Sequence, residues 1–325
     1  MLELINPKNN EHLYLDKDGL FYFDKYHNEF PIINKIPRIT NKKNYADNFG
    51  FQWNKFNLTQ IDNYDTNNIF TLSYDRFFSQ TNKTNSYFDN KNILEIGCGA
   101  GRFSKVVLNF TKANLYSVDI SNAVEANLKN NKKFHNKNFF IFQSDLYNLP
   151  FSPNSFDFVY CFGVLQHTPD INLSLKKIIE QVKPNGEIVV DFYPIKGWWT
   201  KINAKYILRP FLSKLNHEVL LKIIEKNIDW LINFYIFLNK MKLGVLTRFL
   251  PICDFNTKIL INLRKEKLRE WVILDTFDQY SPKFDKPYKI EFIKEIFERN
   301  GTKVIFADYV HFNDHHSAVV RAIKQ

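Results

Sequence analysis

Between Asn92 and Arg102 the chain reads Asn-Ile-Leu-Glu-Ile-Gly-Cys-Gly-Ala-Gly-Arg, and this stretch constrains the fold more than any other. Ile93, Leu94 and Ile96 form a short apolar run. Gly97, Gly99 and Gly101 follow at every second position, and Phe103, Val106, Val107 and Phe110 then recur at helical spacing. The order predicts strand, tight turn, helix. Glycines so placed let the backbone turn sharply and approach a ligand closely. The acid Glu95 and the alternate-position spacing separate the turn from the Gly-x-Gly-x-x-Gly pattern that seats a pyrophosphate at a helix N-terminus.

Downstream, strand-like and helix-like segments alternate. Ala113 to Ile120 is a second strand ending in Asp119, 22 residues after Gly97, and Phe139 to Leu146 is a third containing Asp145. Phe158 to Cys161 runs into Phe162-Gly163-Val164-Leu165-Gln166-His167. An amphipathic helix through Ile171, Leu175, Ile178 and Val182 is ended by Pro184-Asn185-Gly186, and Glu187 to Tyr193 reads as a fifth strand. This rhythm predicts an α/β, doubly wound, largely parallel sheet. Such sheets bind ligands at the carboxyl ends of their strands, where Gly97, Asp119, Asp145, Gly163 and Asp191 all fall. An acid at the tip of the second strand is suited to grip a ribose by its two hydroxyls. The plainer role open to Asp119 is to cap the helix beginning near Ser121.

The Glu-x-Gly-x-Gly-x-Gly turn, the acid-tipped strands and the Leu149-Pro150-Phe151, Pro153 to Asp157 and Phe162 to His167 segments resemble the class I S-adenosylmethionine-dependent methyltransferases. The likeness is to the type acting in small-molecule, surface-glycan or lipid pathways. It runs from about Ile93 to Pro194, with weaker matches at Phe49 to Trp53 and at Asp275 to Phe284. In the last of these the chain is expected to return toward the sheet, and the acids with Tyr280 either meet the acceptor or hold a turn. It implies a Rossmann-like sheet of seven strands, with the last strand antiparallel between strands five and six. It also implies S-adenosyl-L-methionine as cofactor, leaving as S-adenosyl-L-homocysteine. By position, the resemblance gives the cofactor Glu95, Gly97, Cys98, Gly99, Gly101 and Arg102 at the turn, then Asp119 and Ile120. Asp145 and Leu146 fall beside the adenine, and Phe162 and Gly163 close the set. Gln52, Trp53 and Arg76, from segments that lie over the cofactor mouth in that group, join it. Arg76 would meet the cofactor carboxylate or an anionic acceptor, while Trp53 and Phe77 serve equally well as core.

Candidate catalytic groups are His167, Tyr280 and His311. Methyl transfer requires alignment of donor and acceptor and, for some acceptors, removal of a proton. His167 lies at the right end of its strand to be that base, or else holds its loop by a local hydrogen bond. No metal is expected, although the predicted loop His311 to His316 carries three histidines and Asp314. Cys98, Cys161 and Cys253 are far apart in sequence and show no metal or redox spacing, so reduced, buried thiols are expected.

Four regions follow. Residues 1–40 resemble a small β-rich zinc ribbon whose ligand positions hold Asn6, Asn9, Asp24 and His27 in place of cysteines. Residues 41–90 form a helical lead-in, and 91–195 with 285–325 the methyltransferase core. Residues 196–284 form a helical cap for the acceptor. From Lys196 to Trp271 there are 15 Lys and Arg against six Asp and Glu, nearly all of the chain's net +10, along with Trp198, Trp199, Trp230 and Trp271. A basic, aromatic cap predicts an anionic acceptor that is a small molecule, a glycan precursor or a lipid-linked group, and peripheral contact with an anionic membrane surface. A solvated helical face is the plainer reading.

Met1 to Pro7 has neither the basic start nor the apolar centre of a leader, and Ile228 to Leu238 is shorter than the roughly 20 apolar residues of a membrane span. A cytoplasmic chain is expected. Two rival functions remain. The net charge suits an RNA methyltransferase, although the Asp/Asn-Pro-Pro-aromatic turn of many base-amine enzymes is missing. A non-catalytic, S-adenosylmethionine-binding scaffold is the other.

Overall fold

In the computed structural model, which describes residues 2–40, 44–63 and 70–325, four short strands come first. They are β1 (Tyr14–Leu15), β2 (Phe21–Phe23), β3 (Glu29–Ile33) and β4 (Ile36–Ile39), each antiparallel to the next. Residues 1, 41–43 and 64–69, parts of the predicted ribbon and lead-in, lie outside the described residues. Asp24 is fully buried beside these strands. Its carboxylate accepts from the side-chain amides of Asn6, Asn9 and Asn28, each at 2.8 Å, and from the N–H groups of Tyr26 and Asn28 at 2.9 Å. Three of the four positions that match a ribbon's cysteines therefore meet in a hydrogen-bonded knot. The fourth, His27, is exposed, and Asn28 reaches in beside it.

Helices α1 (Asp47–Lys55) and α2 (Leu72–Thr81) precede the alternating core. That core runs β5 (Asn92–Ile96), α3 (Arg102–Phe110), β6 (Asn114–Asp119), α4 (Val124–Asn131), β7 (Phe139–Ser144), β8 (Phe156–Cys161), α5 (Ile171–Gln181) and β9 (Val182–Phe192). Four helices follow: α6 (Ala204–Leu212), α7 (His217–Lys240), α8 (Lys258–Ile261) and α9 (Lys265–Tyr280). The chain then closes with α10 (Ile290–Arg299), β10 (Thr302–Phe312) and β11 (His315–Lys324).

The strands lie in the order β1-β2-β3-β4-β7-β6-β5-β8-β9-β11-β10. From β4 to β9 all neighbours are parallel, and β11 is antiparallel between β9 and β10. The sheet thus has eleven strands, not the seven expected. The difference arises at β4, which adds to the free edge of β7 through Arg38↔Gln143 and Ile39↔Ser144 and carries β1 to β3 with it. Arg38 pins the join: it donates to Gln143 Oε1 at 3.0 Å and to the Ile33 carbonyl at 3.1 Å, and pairs with Glu125.

Alternation along each strand divides the core in two. Ile93, Leu115 and Phe158 pack with Phe77 and Val106 of α2 and α3, while Leu94, Tyr116 and Val159 pack with Leu175, Ile178 and Phe297 of α5 and α10. With both faces covered, the strands read as near-continuous apolar runs. A third cluster, including Leu221, Ile228, Leu231, Trp271 and Phe277, joins α7 to α9 within the cap. Among the described residues no helix is long and apolar enough to cross a membrane.

Three stretches differ from expectation. Pro184-Asn185-Gly186 does not stand between helix and strand. It forms a bulge within β9, where pairing steps from Phe156↔Val182 to Phe158↔Glu187 and Asn185 takes φ +62°. The predicted loop from His311 to His316 is mostly strand, closed at Asn313-Asp314, with His311 opposite His316. The stretch from Asp275 to Tyr280 is the C-terminal part of α9 rather than a turn returning to the sheet.

Candidate functional site

The turn after β5 folds back onto the end of β6. The N–H groups of Gly97 and Cys98 both donate to the Val118 carbonyl, at 2.8 and 3.1 Å, and that of Gly99 donates to Asp119 Oδ2 at 2.9 Å. Gly97 and Gly101 have φ of +75° and +84°, and there is no room for side chains. A Cβ at Gly97 would stand 2.1 Å from Val164 Cγ2, and one at Gly101 would stand 2.1 Å from Asn127 Oδ1. The indole Nε1 of Trp53 lies 3.2 Å from the Cβ position of Gly99, so α1 lays Trp53 across the turn.

This turn forms one wall of a cavity of about 470 Å³ at the carboxyl edge of the sheet. Cys98, Asp119, Ile120, Leu146, Phe162 and Gly163 line it beside the glycines, with Trp53 and Tyr45 opposite. Asp119 Oδ1 accepts from the Ser121 N–H at 2.8 Å and from its Oγ at 2.7 Å. Burial pushes the Asp119 carboxyl up against these donors. Among the described residues Oδ2 takes only the Gly99 amide, and a carboxylate oxygen has room for a second donor. The capping role and the ribose-gripping role are therefore compatible.

Four of the expected cofactor residues, Glu95, Gly101, Asp145 and Gln52, stand back from the cavity wall. Glu95 is buried behind the turn, accepting from the hydroxyls of Ser104 and Ser117, and burial pushes its pKa up to about 7. Asp145 caps the turn at 146–148 by accepting from the Tyr147 N–H at 3.2 Å, and the Tyr45 hydroxyl approaches it at 3.5 Å. Gln52 donates to Asp278 Oδ1 at 2.8 Å, and its Oε1 is buried without a partner.

Beyond the glycine turn the cavity becomes charged. Arg76 lines it, paired with Asp191, whose carboxylate also accepts from Gln80 Nε2 at 2.8 Å and from the Gly163 N–H. Arg102 donates to Ser73 Oγ at 3.0 Å and Gln60 Oε1 at 2.6 Å, both neutral. Burial, with Arg76 adding to it, lowers the Arg102 pKa to about 10, and no carboxylate among the described residues lies within ion-pair distance of it. From α9, Asp275 and Asp278 reach the same space. Asp275 accepts from Trp271 Nε1 at 2.7 Å and Gln60 Nε2 at 2.8 Å, and burial, with Asp278 adding, pushes it up to about 7.

The three catalytic candidates separate. His167 lines the cavity, buried between Phe49 and Tyr193, with ring centroids at 5.0 and 5.8 Å. Its Nδ1 lies 2.9 Å from the Phe284 carbonyl, which can only accept. The neutral ring therefore carries its proton on Nδ1 and leaves Nε2 as a base. Burial lowers the His167 pKa, opposed by Asp278 and Asp285. Tyr280 does not reach the cavity: it lies about 140° around α9 from Asp275, and its side chain is buried in the cap core with the hydroxyl unpartnered. His311 is exposed on β10 and lines nothing, whereas His315 and His316 do. His315 Nε2 is buried without a partner, and burial with Arg76 and Arg102 keeps the ring's pKa low.

Sequence reasoning missed Tyr45 and Tyr193 as cavity residues, reached Asp278 only as one of several acids in its stretch, and His315 only as part of the 311–316 loop. A helical reading of Asp275, Asp278 and Gln279, spaced i, i+3, i+4, would have placed all three on one face. His315 gave no comparable signal, because its position depends on where the final hairpin turns.

Residues 94–190 match the family described as a methyltransferase domain. A ubiquinone/menaquinone biosynthesis C-methyltransferase of Rickettsia prowazekii is 32% identical over 179 residues, covering 47% of this chain and 69% of the relative. A tRNA U34 carboxymethyltransferase of Nautilia profundicola is 30% identical over 139 residues, covering 40% of this chain and 44% of that protein. A second such protein, from Campylobacter curvus, is covered over 35% of its length, so the chain spans less than half of either tRNA relative. Among solved structures, the magnesium protoporphyrin IX methyltransferase of Synechocystis PCC 6803 with bound SAH aligns at 15% identity and a TM-score of 0.46, over 86% of this chain and 97% of that one.

Proposed function

This chain belongs to the class I S-adenosylmethionine-dependent methyltransferase family, and we propose that it transfers a methyl group to an anionic small-molecule, sugar-linked or lipid-linked acceptor held under its cap. The cofactor supplies a methyl group on a sulfonium, whose departure leaves a neutral thioether. The residues present fit that group. The Gly97 to Gly101 turn offers close backbone approach, Asp119 Oδ2 has spare acceptor capacity, and Ile120 and Leu146 give apolar walls for a base. Arg102, without a carboxylate partner among the described residues, suits a carboxylate from the cofactor or the acceptor.

The observation that carries the reading is the continuity of one cavity from Asp119 and the glycine turn to His167 and the α9 carboxylates. Within it, Trp53 and Phe162 exclude water from the donor side. His167, locked by the Phe284 carbonyl, presents an unprotonated Nε2 that can take a proton from an acceptor hydroxyl, amine or activated carbon. Alignment of the two partners supplies the rest of the acceleration.

An RNA acceptor is the second reading, supported by the basic excess of the cap and by the tRNA-directed relative. One experiment separates the two. The pure protein is incubated with methyl-labelled S-adenosylmethionine and a host extract split into lipid, glycan-precursor, small-molecule and nucleic-acid pools. Label in the first three supports the proposal, and label in RNA alone replaces it with the second reading.

A further inference from the structure

The cap exposes apolar surface that no other part of the described residues covers. Of the 25 large apolar side chains exposed among the described residues, 16 lie between Lys196 and Trp271, so this surface belongs to the insertion and not to the core. On α7, Val219, Ile223, Trp230, Phe234 and Phe237, with Met241 just beyond it, recur at spacings of four, seven, four, three and four. At 100° per residue they form one stripe, on a helix about 36 Å long. The stripe is distinct from the buried face of α7, where Leu221, Ile224, Ile228 and Leu231 meet the cap core. Phe234 and Phe237 stack on each other at the surface, ring centroids 6.2 Å apart. The turn at 244–249, which packs on α6 and α7, adds Val245, 77% exposed, and its Arg248 donates to the Trp199 carbonyl at 2.7 Å. Trp198 beside it is 82% exposed, and Phe211 at the end of α6 is 72% exposed.

Charge says what fits there. Lys222, Lys226 and Lys240 flank the stripe on one side, exposed and without an ion-pair partner among the described residues. Of the three acids of α7, Glu225 pairs with Lys55 at 3.6 Å and Asp229 with Arg269 at 2.9 Å, which leaves Glu218 at the first turn against the three lysines. A second copy of this chain laid on the stripe would bring like charges together. A surface with negative headgroups over an apolar interior matches both the lysines and the aromatic residues.

We propose that the cap docks on an anionic lipid surface through the α7 stripe and the Trp198 and Val245 turns, lying on the bilayer without crossing it. The docking does not depend on methyl transfer, so it is tested by binding alone. Full-length protein is mixed with sedimentable vesicles of phosphatidylcholine, with or without phosphatidylglycerol. The expected result is at least roughly tenfold stronger partition onto the anionic vesicles, weakening as salt is raised. The double variant Phe234→Glu/Phe237→Glu should lose roughly tenfold or more of that binding, with its circular dichroism unchanged. Lys222→Glu/Lys226→Glu, at exposed positions outside any ion pair among the described residues, should bind more weakly and with less salt dependence, and it carries the test should the first variant fold poorly. Equal partition onto both vesicle types, or no difference between wild type and the lysine variant, overturns the proposal. So does a wild-type dimer in sedimentation velocity that Phe234→Glu/Phe237→Glu dissociates while vesicles bind neither protein. Salt-sensitive retention of RNA with no vesicle binding overturns it as well.

Discussion

The amide of Gly99 donates to Asp119 Oδ2 at 2.9 Å, so the turn after the first core strand and the acid at the tip of the second are one unit. Asp119 Oδ1 is occupied by Ser121, which directs the remaining capacity of Oδ2 toward the cavity. Asp119→Ala should therefore weaken S-adenosylmethionine binding by at least about tenfold, since it removes a charge-assisted acceptor and loosens the turn. Isothermal calorimetry measures it, and unchanged affinity would remove Asp119 from the cofactor site.

Gly99 and Gly101 should fail differently. At Gly101 an added Cβ would meet Asn127 Oδ1 at 2.1 Å in a left-handed conformation, so Gly101→Ala should destabilise the fold by about 2–4 kcal/mol in urea unfolding. At Gly99 the nearest atom is Trp53 Nε1 at 3.2 Å, on a side chain that can give way. Gly99 is left-handed too, at φ +50°, so Gly99→Val should cost stability as well. Gly99 lines the cavity and Gly101 does not, so only the Gly99 variant should also block the cofactor. A variant pair with the opposite pattern would place the cofactor elsewhere along the cavity.

What the sequence revealed followed from local rules. Glycine spacing, apolar runs and acids at strand tips depend on near neighbours, and they located the parallel core and Asp119. The failures were tertiary. That β4 would pair with β7 depends on an edge left free by strands distant in sequence. Tyr280 was a catalytic candidate by its place beside the acids in sequence, but helical geometry carries it away from Asp275 and Asp278 and into the cap core. His311 and His315 exchanged places once the hairpin turned at Asn313-Asp314 instead of looping from 311 to 316.

Asp24 makes stability depend on acid. Burial raises its pKa, but Asn9, Asn28, Asn6 and backbone amides outweigh that and hold it far below the model-compound value of 3.8. A depressed folded-state pKa contributes stability that is fully present above the unfolded value and is lost as pH falls below it. Asp24→Asn should melt lower than wild type at neutral pH, and the gap should narrow below about pH 3.8. Melting curves across pH check this, and a constant gap would mean the knot does not rely on the charge.

Glu95 should act with the opposite sign. Burial raises its pKa from 4.5 to about 7, so between those values the folded chain binds the proton that the unfolded chain has lost. Its contribution to stability therefore declines as pH rises from 4.5 to 7. Glu95→Gln keeps an acceptor for Ser104 and Ser117 without the buried charge, and should gain about 1–3 kcal/mol over wild type at pH 8 relative to pH 5. Equal pH dependence in the two proteins would show that Glu95 titrates normally.

His167 decides between base and brace. If Nε2 takes the proton, His167→Ala should keep cofactor affinity and lose about 10²–10⁴ in turnover, measured as labelled methyl entering the acceptor pool. The wild-type rate should be flat above pH 6.5 and fall on the acid side of it, because burial sets the ring's pKa below 6.5 and only the neutral ring is a base. If His167 merely braces the loop through Phe284, an asparagine, whose Nδ2 sits where Nδ1 does, can still donate to that carbonyl. His167→Asn should then restore the rate with no acid limb. Restored turnover in the asparagine variant would thus end the case for a base, and a loss equal to that of alanine, with folding intact, would support it.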